Sequence, residues 1–198
     1  MPLSLVSSET SPARRAVLFL PSNQAAILFA DFIHPTHLEQ VLVQLAQAGI
    51  RSVVACGLAE SLTTQIPPGQ IVLAEAALDP SEPRPELPHH RLFGDLRATA
   101  ARLCISIRRA RLLAADPNDP DYVNQLDRRR EFGVEAVHPA VSLFYDACRR
   151  LGLAGAFACS IVPNRREPST QGPGLADRMP TELLELVKET FKIQVTIN

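Results

Sequence analysis

Residues 34–55 read HPTHLEQVLVQLAQAGIRSVVA, and this stretch decides the fold class. Its apolar residues recur at the i, i+3, i+4, i+7 spacing of an amphipathic helix: Leu38, Val41, Leu42, Leu45 and Ala48. Gly49 stands where a helix C-cap is expected, and residues 52–55 form a short apolar run typical of a buried strand. The stretch therefore predicts a helix, a sharp stop and a strand.

The same alternation extends along most of the chain. Short apolar runs predict strands at residues 16–20, 70–74, 108–115, 134–137 and 156–162. Periodic segments predict helices at residues 95–103, 122–132 and 140–151, and a last helix with Thr181 as its N-cap. Such alternation favours parallel strands covered by helices. We expect an α/β fold: a single domain with a central mixed, largely parallel sheet flanked by helices on both faces.

Proline and small polar residues mark the segments outside this pattern. The chain holds 17 prolines, which predict rigid turns and loosely held loops. Residues 1–15 are expected to form a disordered leader, and residues 16–198 the domain. Residues 79–90 and 163–180 are expected to be irregular.

Composition and charge exclude several classes of function. The 20 basic and 21 acidic side chains nearly cancel, so no field would concentrate the chain on nucleic acid or on an anionic membrane. No apolar run reaches the roughly 18 to 20 residues of a membrane helix. The four cysteines are far apart, without a C-x-x-C pair, which is typical of reduced thiols. We expect a cytoplasmic protein that binds neither nucleic acid nor membrane.

Common nucleotide, hydrolase and metal motifs do not occur in the sequence. The pair His34 and His37 has helical spacing, but no third ligand is evident, so no metal site is predicted. Arg128, Arg129 and Arg130 form a basic triplet that acidic residues flank, as on a solvated helix face. Generic motifs thus indicate no cofactor and no reaction.

A family resemblance covers roughly residues 17–165. Residues 52–55, the pair Ser61-Leu62, IPPGQIV at 66–72 and DPSEPRP at 79–85 follow one another at the spacing of a strand, a Gly-Ser-Leu loop, an I-x-P-G-D-I-V element and a D-x-T-x-x-R-P loop. Downstream, FGVEAV at 132–137 and ACRRLG at 147–152 are similar to a W-G-A-D-V-I strand and an L-A-R-E-x-G helix end. In this framework the chain resembles trimeric purine nucleoside and methylthioadenosine phosphorylases.

The resemblance implies a phosphate site that this chain has lost. Phosphorolysis needs cationic and backbone donors around phosphate, and loss of one preorganised donor typically costs ~10²–10³ in rate. The family's first glycine-rich phosphate loop has no counterpart. The L-P-R-H-G element, matched at Leu20-Pro21, has Ser22, Asn23 and Gln24 in place of Arg, His and Gly. Glu60 replaces the glycine beside Ser61, and a carboxylate repels phosphate.

The contacts to ribose and base are also altered. Pro139-Ala140 stands where the family has the Met-Thr that seats the ribose. The purine-binding carboxylate survives as the shorter Asp116, with Pro120 in place of the aromatic residue. Asn164 comes to the Asp or Asn position that meets the purine only if the alignment shifts by one.

These losses predict a degenerate, non-catalytic homologue with a binding or assembly role. No catalytic residue and no cofactor are predicted, and the ligand-binding remnants are Ser61, Asp116, His138 and Asn164. The alternatives are an active phosphorylase, including a truncated one that borrows groups from a neighbouring subunit, or a hydrolase with a rebuilt site. Candidate partners are a purine nucleoside or base, phosphate, further copies of the chain, and an active relative.

Overall fold

The computed structural model describes residues 17–20, 24–32, 34–82, 84–116, 119–129, 132–162 and 180–195. Within them the strands are β1 (Val17–Leu20), β2 (Ala25–Phe29), β3 (Ser52–Ser61), β4 (Ile71–Leu78), β5 (Ile107–Leu113), β6 (Val134–Val137) and β7 (Ala154–Val162). The helices are α1 (Pro35–Gln47), α2 (His90–Arg102), α3 (Tyr122–Arg129), α4 (Val141–Leu151) and α5 (Thr181–Val195). A 3-10 turn, Ala30–Phe32, joins β2 to α1.

The seven described strands form one mixed sheet, as predicted. β2, β3 and β7 are parallel neighbours, and so are β4, β5 and β6. Antiparallel pairing joins these two groups, β4 with β7 and the end of β3 with β6. β3 lies at the centre because it pairs with three strands, β2, β6 and β7. Its pairing with β7 extends over the nine residues from Ser52 to Glu60. These pairings close a five-stranded ring of β3, β7, β4, β5 and β6, which the sequence pattern does not predict.

Helices cover both faces of the sheet, which confirms the predicted layers. One core half joins α1 and α4 through Leu38, Leu42 and Leu45 on α1 and Phe144 and Cys148 on α4. The other joins α2 and α5 through apolar side chains that include Leu92, Leu96, Leu186 and Phe191. A smaller cluster forms beneath α3 around Leu113, Tyr122 and Val137. Each helix buries one apolar stripe, as its periodicity requires.

Tyr145 of α4 holds the ring together at the seam between β4 and β7. The antiparallel ladder ends with Leu73 opposite Ala158, so Ala74 and Phe157 would form the next pair. Instead the buried Tyr145 hydroxyl donates to the Ala74 carbonyl at 2.7 Å and accepts from the Phe157 N–H at 3.1 Å. Burial raises the pKa of this phenol well above its usual value, so the group stays neutral and keeps its proton. One side chain therefore satisfies two backbone groups where the strands separate.

Several predicted elements needed correction. β2 was not predicted at all, and β3 continues through Gly57 to Ser61 instead of ending at Ala55. α2 begins at His90, five residues earlier than expected, because its apolar stripe already starts at Leu92. α3 ends at Arg129 rather than at Phe132.

The two predicted glycine stops are confirmed, and the predicted N-cap is wrong. Gly152 caps α4 at φ +66°, and Gly49 follows α1 at φ +83°, so both glycines adopt the predicted left-handed conformation. Thr181 is the first helical residue of α5 and not its N-cap. The predicted leader, and all but the last residue of the predicted loop at residues 163–180, lie outside the described residues.

Candidate functional site

His138 directly follows β6 and is almost fully buried, with 2% of its surface exposed. The backbone N–H of His138 donates to the carbonyl of Leu113 at the end of β5. The Ala140 N–H donates to Nδ1 of its ring at 3.2 Å. Because Nδ1 accepts, the neutral ring carries its proton on Nε2, which lies 3.1 Å from Oδ1 of Asp31 and donates to it. Both ring nitrogens of His138 are therefore engaged inside the protein.

Asp31 lies on the 3-10 turn two residues after β2. Its second oxygen, Oδ2, accepts a hydrogen bond from the Leu58 N–H at 2.8 Å. Each carboxylate oxygen is thus held by one donor, the first from a side chain and the second from the backbone of β3. The Asp31 side chain is 30% exposed, whereas the imidazole behind it is buried. A buried ring and a buried strand hold a carboxylate that reaches solvent.

Gly57 leaves the space that this arrangement needs. A Cβ atom built on Gly57 would lie 2.6 Å from Nε2 of His138 and 3.2 Å from Oδ1 of Asp31. The first distance is too short for any side chain without displacement of the ring. We call Asp31, Gly57, Leu58 and His138 the strand-end cluster. The sequence analysis named His138 but missed Asp31, because Asp31 is recognisable as a strand-end residue only once β2 is known.

The thiols beside this cluster do not supply a nucleophile. Burial raises the pKa of Cys56 and of Cys159 far above the usual range, and the Asp31 carboxylate adds to the shift. The pKa of Cys148 on α4 is also raised, by burial alone. A nucleophilic cysteine needs a lowered pKa and access to solvent, and these three groups have neither. All four cysteines are unpaired, and Cys104 is the exposed one.

Ser61, predicted as a remnant of the phosphate site, ends β3. Its hydroxyl donates to the Thr63 carbonyl at 2.6 Å and accepts from the Thr63 N–H at 3.2 Å. The side chain therefore closes a local turn. Glu60 is buried and lies opposite Val137 in the short pairing of β3 with β6. The structure thus brings Glu60 and His138 to the same strand ends, since His138 follows Val137.

The other predicted site residues are more dispersed. Asp116 is exposed, and its carbonyl accepts from the Asp119 N–H in the loop after β5. It follows β5 by three residues, and β5 ends beside His138. Asn164 lies outside the described residues, as do Ser22 and Asn23.

Gln24, which stands at the glycine position of the L-P-R-H-G resemblance, lies at the opposite end of β3 from Ser61. The Gln24 carbonyl accepts from the N–H groups of Arg51 and Ser52, at the amino end of β3. Ser61 is at the opposite end of this ten-residue strand, which spans roughly 30 Å. Gln24 adopts φ +48°, a conformation that suits the glycine of the resemblance, and serves the turn between β1 and β2. Gln24 and Ser61 therefore do not converge on one site.

Arginine side chains of β5 are held on the sheet by acidic and carbonyl partners. Arg108 pairs with Glu135, Arg109 with Glu75, and Arg111 donates to the Phe132 carbonyl. Within the described ranges, no group of three histidine, cysteine or acidic side chains is arranged to hold a metal ion. None of the described helices is long and apolar enough to cross a membrane.

Comparison with known proteins gives a structural match and no sequence match. No family model matches the chain, and no curated protein matches it in sequence. Among solved structures, the Plasmodium knowlesi homologue of Plasmodium falciparum purine nucleoside phosphorylase superposes with a TM-score of 0.61 at 16% identity. The match covers 80% of this chain and 67% of the Plasmodium chain. The fold is nucleoside phosphorylase-like. At 16% identity the likeness establishes the fold alone.

Proposed function

We propose that this chain is a non-catalytic protein with a nucleoside phosphorylase-like fold, which binds a ligand at its strand ends without cleaving it. The observation that carries the proposal is the use of His138 and Ser61. Both are candidate ligand-binding residues from the sequence, yet each nitrogen of His138 and the hydroxyl of Ser61 bond within the protein. A general base must present an open acceptor to its substrate, and both ring nitrogens of His138 are already engaged within the protein.

The chemistry of phosphorolysis supports the same reading. A bidentate guanidinium is the strongest protein ligand for a phosphate dianion. The arginines whose partners are known in β5 and α4 engage carboxylates or carbonyls: Arg108, Arg109, Arg111, Arg149 and Arg150. Around the strand ends stand carboxylates instead, from Asp31 and Glu60. Such surroundings disfavour bound phosphate at the place where it would attack the sugar.

We further propose a cytoplasmic location and a purine nucleoside or purine base as the bound molecule, with Asp116 and Asn164 as additional contacts. Assembly with further copies of this chain, or with an active relative, is the other role that a scaffold without catalysis would serve. Neither role requires a cofactor.

An activity measurement tests this proposal directly. Purified protein is incubated with methylthioadenosine, adenosine, inosine or guanosine, each with and without phosphate, and free base is quantified by chromatography. An active purine nucleoside phosphorylase run in parallel shows that the conditions support turnover. We expect no base above the protein-free control. Release that needs phosphate would establish a phosphorylase, and release without phosphate would establish a hydrolase; either result ends the proposal.

Ligand-induced stabilisation tests the binding half separately. A ligand present at 100 times its Kd raises the free energy of unfolding by about 2.7 kcal/mol. We expect a purine nucleoside to raise the thermal midpoint and inorganic phosphate to leave it unchanged. A shift with phosphate alone would contradict the proposed loss of the anion site.

A further inference from the structure

We infer that Asp31 is a binding residue for the hydroxyl groups of a neutral ligand and that His138 is the residue that positions it. The inference rests on the proposed function in one respect, namely that the ligand stays intact. It assigns a role to a residue that none of the motifs quoted for the resemblance contains. It also selects the class of ligand: a molecule that donates hydrogen bonds and carries no phosphate.

The first argument is the direction of the hydrogen bonds. His138 Nε2 and the Leu58 N–H each donate to one oxygen of Asp31, at 3.1 Å and 2.8 Å. A carboxylate has about four acceptor positions, so two remain beyond those already used. The Asp31 side chain is 30% exposed, so it is accessible to solvent as well as bonded to the protein. Two protein donors hold the Asp31 carboxylate in place, and its side chain remains partly exposed.

The second argument is the cost of building the arrangement. Burying an imidazole requires partners for both nitrogens, and His138 has them. The chain also places a glycine at position 57, where a Cβ would displace the ring. A preorganised acceptor loses little conformational entropy when a ligand arrives, which is the usual reason for positioning a binding group in advance.

The third argument is the location in the sheet. β2 is followed by α1 on one face, whereas β7 is followed among the described elements by α5 on the other face. β3 lies between β2 and β7 and is parallel to both. Asp31 therefore lies just beyond the carboxyl end of β2 and beside the carboxyl half of β3, between two strands whose following helices cover opposite faces. Leu58, the backbone donor to Asp31, lies in that half.

The charge of the cluster decides the ligand class. The Asp31 carboxylate presents acceptors only. A phosphate group at this place would meet like charge. Two neighbouring hydroxyls can each donate to one of the two open positions, so a sugar diol fits the geometry and charge of Asp31.

Calorimetric titration with matched nucleosides tests the assignment. The probes are adenosine, 2′,3′-dideoxyadenosine and adenosine 5′-monophosphate. Hydrogen bonds to a charged group justify an expected loss of about 10- to 100-fold in affinity when both hydroxyls are removed. We expect adenosine to bind more tightly than either of the other two. If the unaltered protein fails to bind adenosine, or does not distinguish it from the dideoxy form, the inference is overturned.

The variant Asp31→Asn locates the effect. It should bind adenosine and the dideoxy form with equal affinity, because an amide in place of the carboxylate replaces one acceptor by a donor. Asp95→Asn removes the same charge from α2 on the other face and should keep the preference. A preference that persists in Asp31→Asn overturns the assignment, while base release in the activity assay would overturn only the absence of catalysis.

A pair of His138 variants tests the positioning role. His138→Gln keeps a side-chain donor for Asp31, whereas His138→Leu removes it. If His138 only fills the core, both variants lower the thermal midpoint and leave the preference for adenosine over the dideoxy form intact. If it positions Asp31, the preference falls in His138→Leu and is at least partly restored in His138→Gln.

Discussion

Tyr145 and His138 are both buried polar residues, and both bridge separate strands, but their hydrogen bonds end in different places. The Tyr145 hydroxyl serves two backbone groups, the Ala74 carbonyl and the Phe157 N–H. His138 is held by the backbone N–H of Ala140 on one side and donates on the other to Asp31, which is partly exposed. The first bridge closes within the core, and the second extends from the core to the surface.

This difference separates a structural role from a binding role. A bridge that ends on backbone groups can contribute only to stability, since nothing on it meets solvent. A bridge that ends on an exposed carboxylate fixes the orientation of a group that a ligand can reach. Both bridges contact Phe157: the His138 ring packs edge-on against its ring, with centroids 4.7 Å apart, and the Tyr145 hydroxyl accepts from its N–H. Variants on either side therefore test whether stability and binding can be changed separately.

Tyr145→Phe should produce the largest loss of stability. It removes the hydroxyl and leaves the Ala74 carbonyl and the Phe157 N–H buried without their partner, at about 1–3 kcal/mol for each unsatisfied group. We expect the free energy of unfolding to fall by about 2–4 kcal/mol in urea titrations, with nucleoside affinity unchanged where the variant is folded. A loss below about 0.5 kcal/mol would show that the ring does not depend on this bridge.

Gly57→Ala should cost less stability and, unlike Tyr145→Phe, should also weaken binding. The new methyl group forces His138 to move, and overpacking of this kind costs about 1–3 kcal/mol. Gly155→Ala is the matched control, because its Cβ would lie 2.8 Å from Sγ of Cys148 and away from Asp31. Both variants should unfold at lower urea concentration, but only Gly57→Ala should lose the preference for adenosine over its dideoxy form.

A third glycine variant checks that the effect is steric. The Cβ of Gly94→Ala on α2 would meet nothing within 4 Å, and alanine favours a helix by about 1 kcal/mol over glycine. This variant should gain stability. A loss comparable to that of Gly57→Ala would indicate that alanine substitution itself, rather than contact with His138, causes the change.

Local periodicity was enough to predict most of the fold. The stripe of α1 and the glycine stops at Gly49 and Gly152 come from neighbouring residues, so they are readable without tertiary contacts. β2 was missed although its five residues are apolar, because it follows a polar turn directly and has no helix of its own before it. The closed ring was also unpredictable, since strand pairing depends on contacts distant in sequence.

The candidate site was predicted only in part, and for a related reason. His138 was recognised as a polar group at a strand end. Its burial and its hydrogen bond with Asp31 were not predicted, because the two residues are 107 positions apart in sequence. Ser61 was recognised from the resemblance, but a hydroxyl two residues before Thr63 can equally close a turn, which is its use in the structure. Residue types alone do not distinguish these uses.

The smallest expected effect is a difference in the reactivity of the buried thiols between a variant of Tyr145 and a variant of Asp31. Cys104 is exposed, whereas Cys56, Cys148 and Cys159 are buried with raised pKa values, so iodoacetamide should modify one thiol per folded chain. Cys148 and Cys159 lie close enough to Tyr145 to influence its titration. Tyr145→Phe should therefore speed their modification by favouring local opening, while Asp31→Asn, which changes an exposed group, should leave it slow. Mass spectrometry of peptides from time points identifies each thiol, and equal protection in both variants would mean that the inner bridge does not hold this part of the core closed.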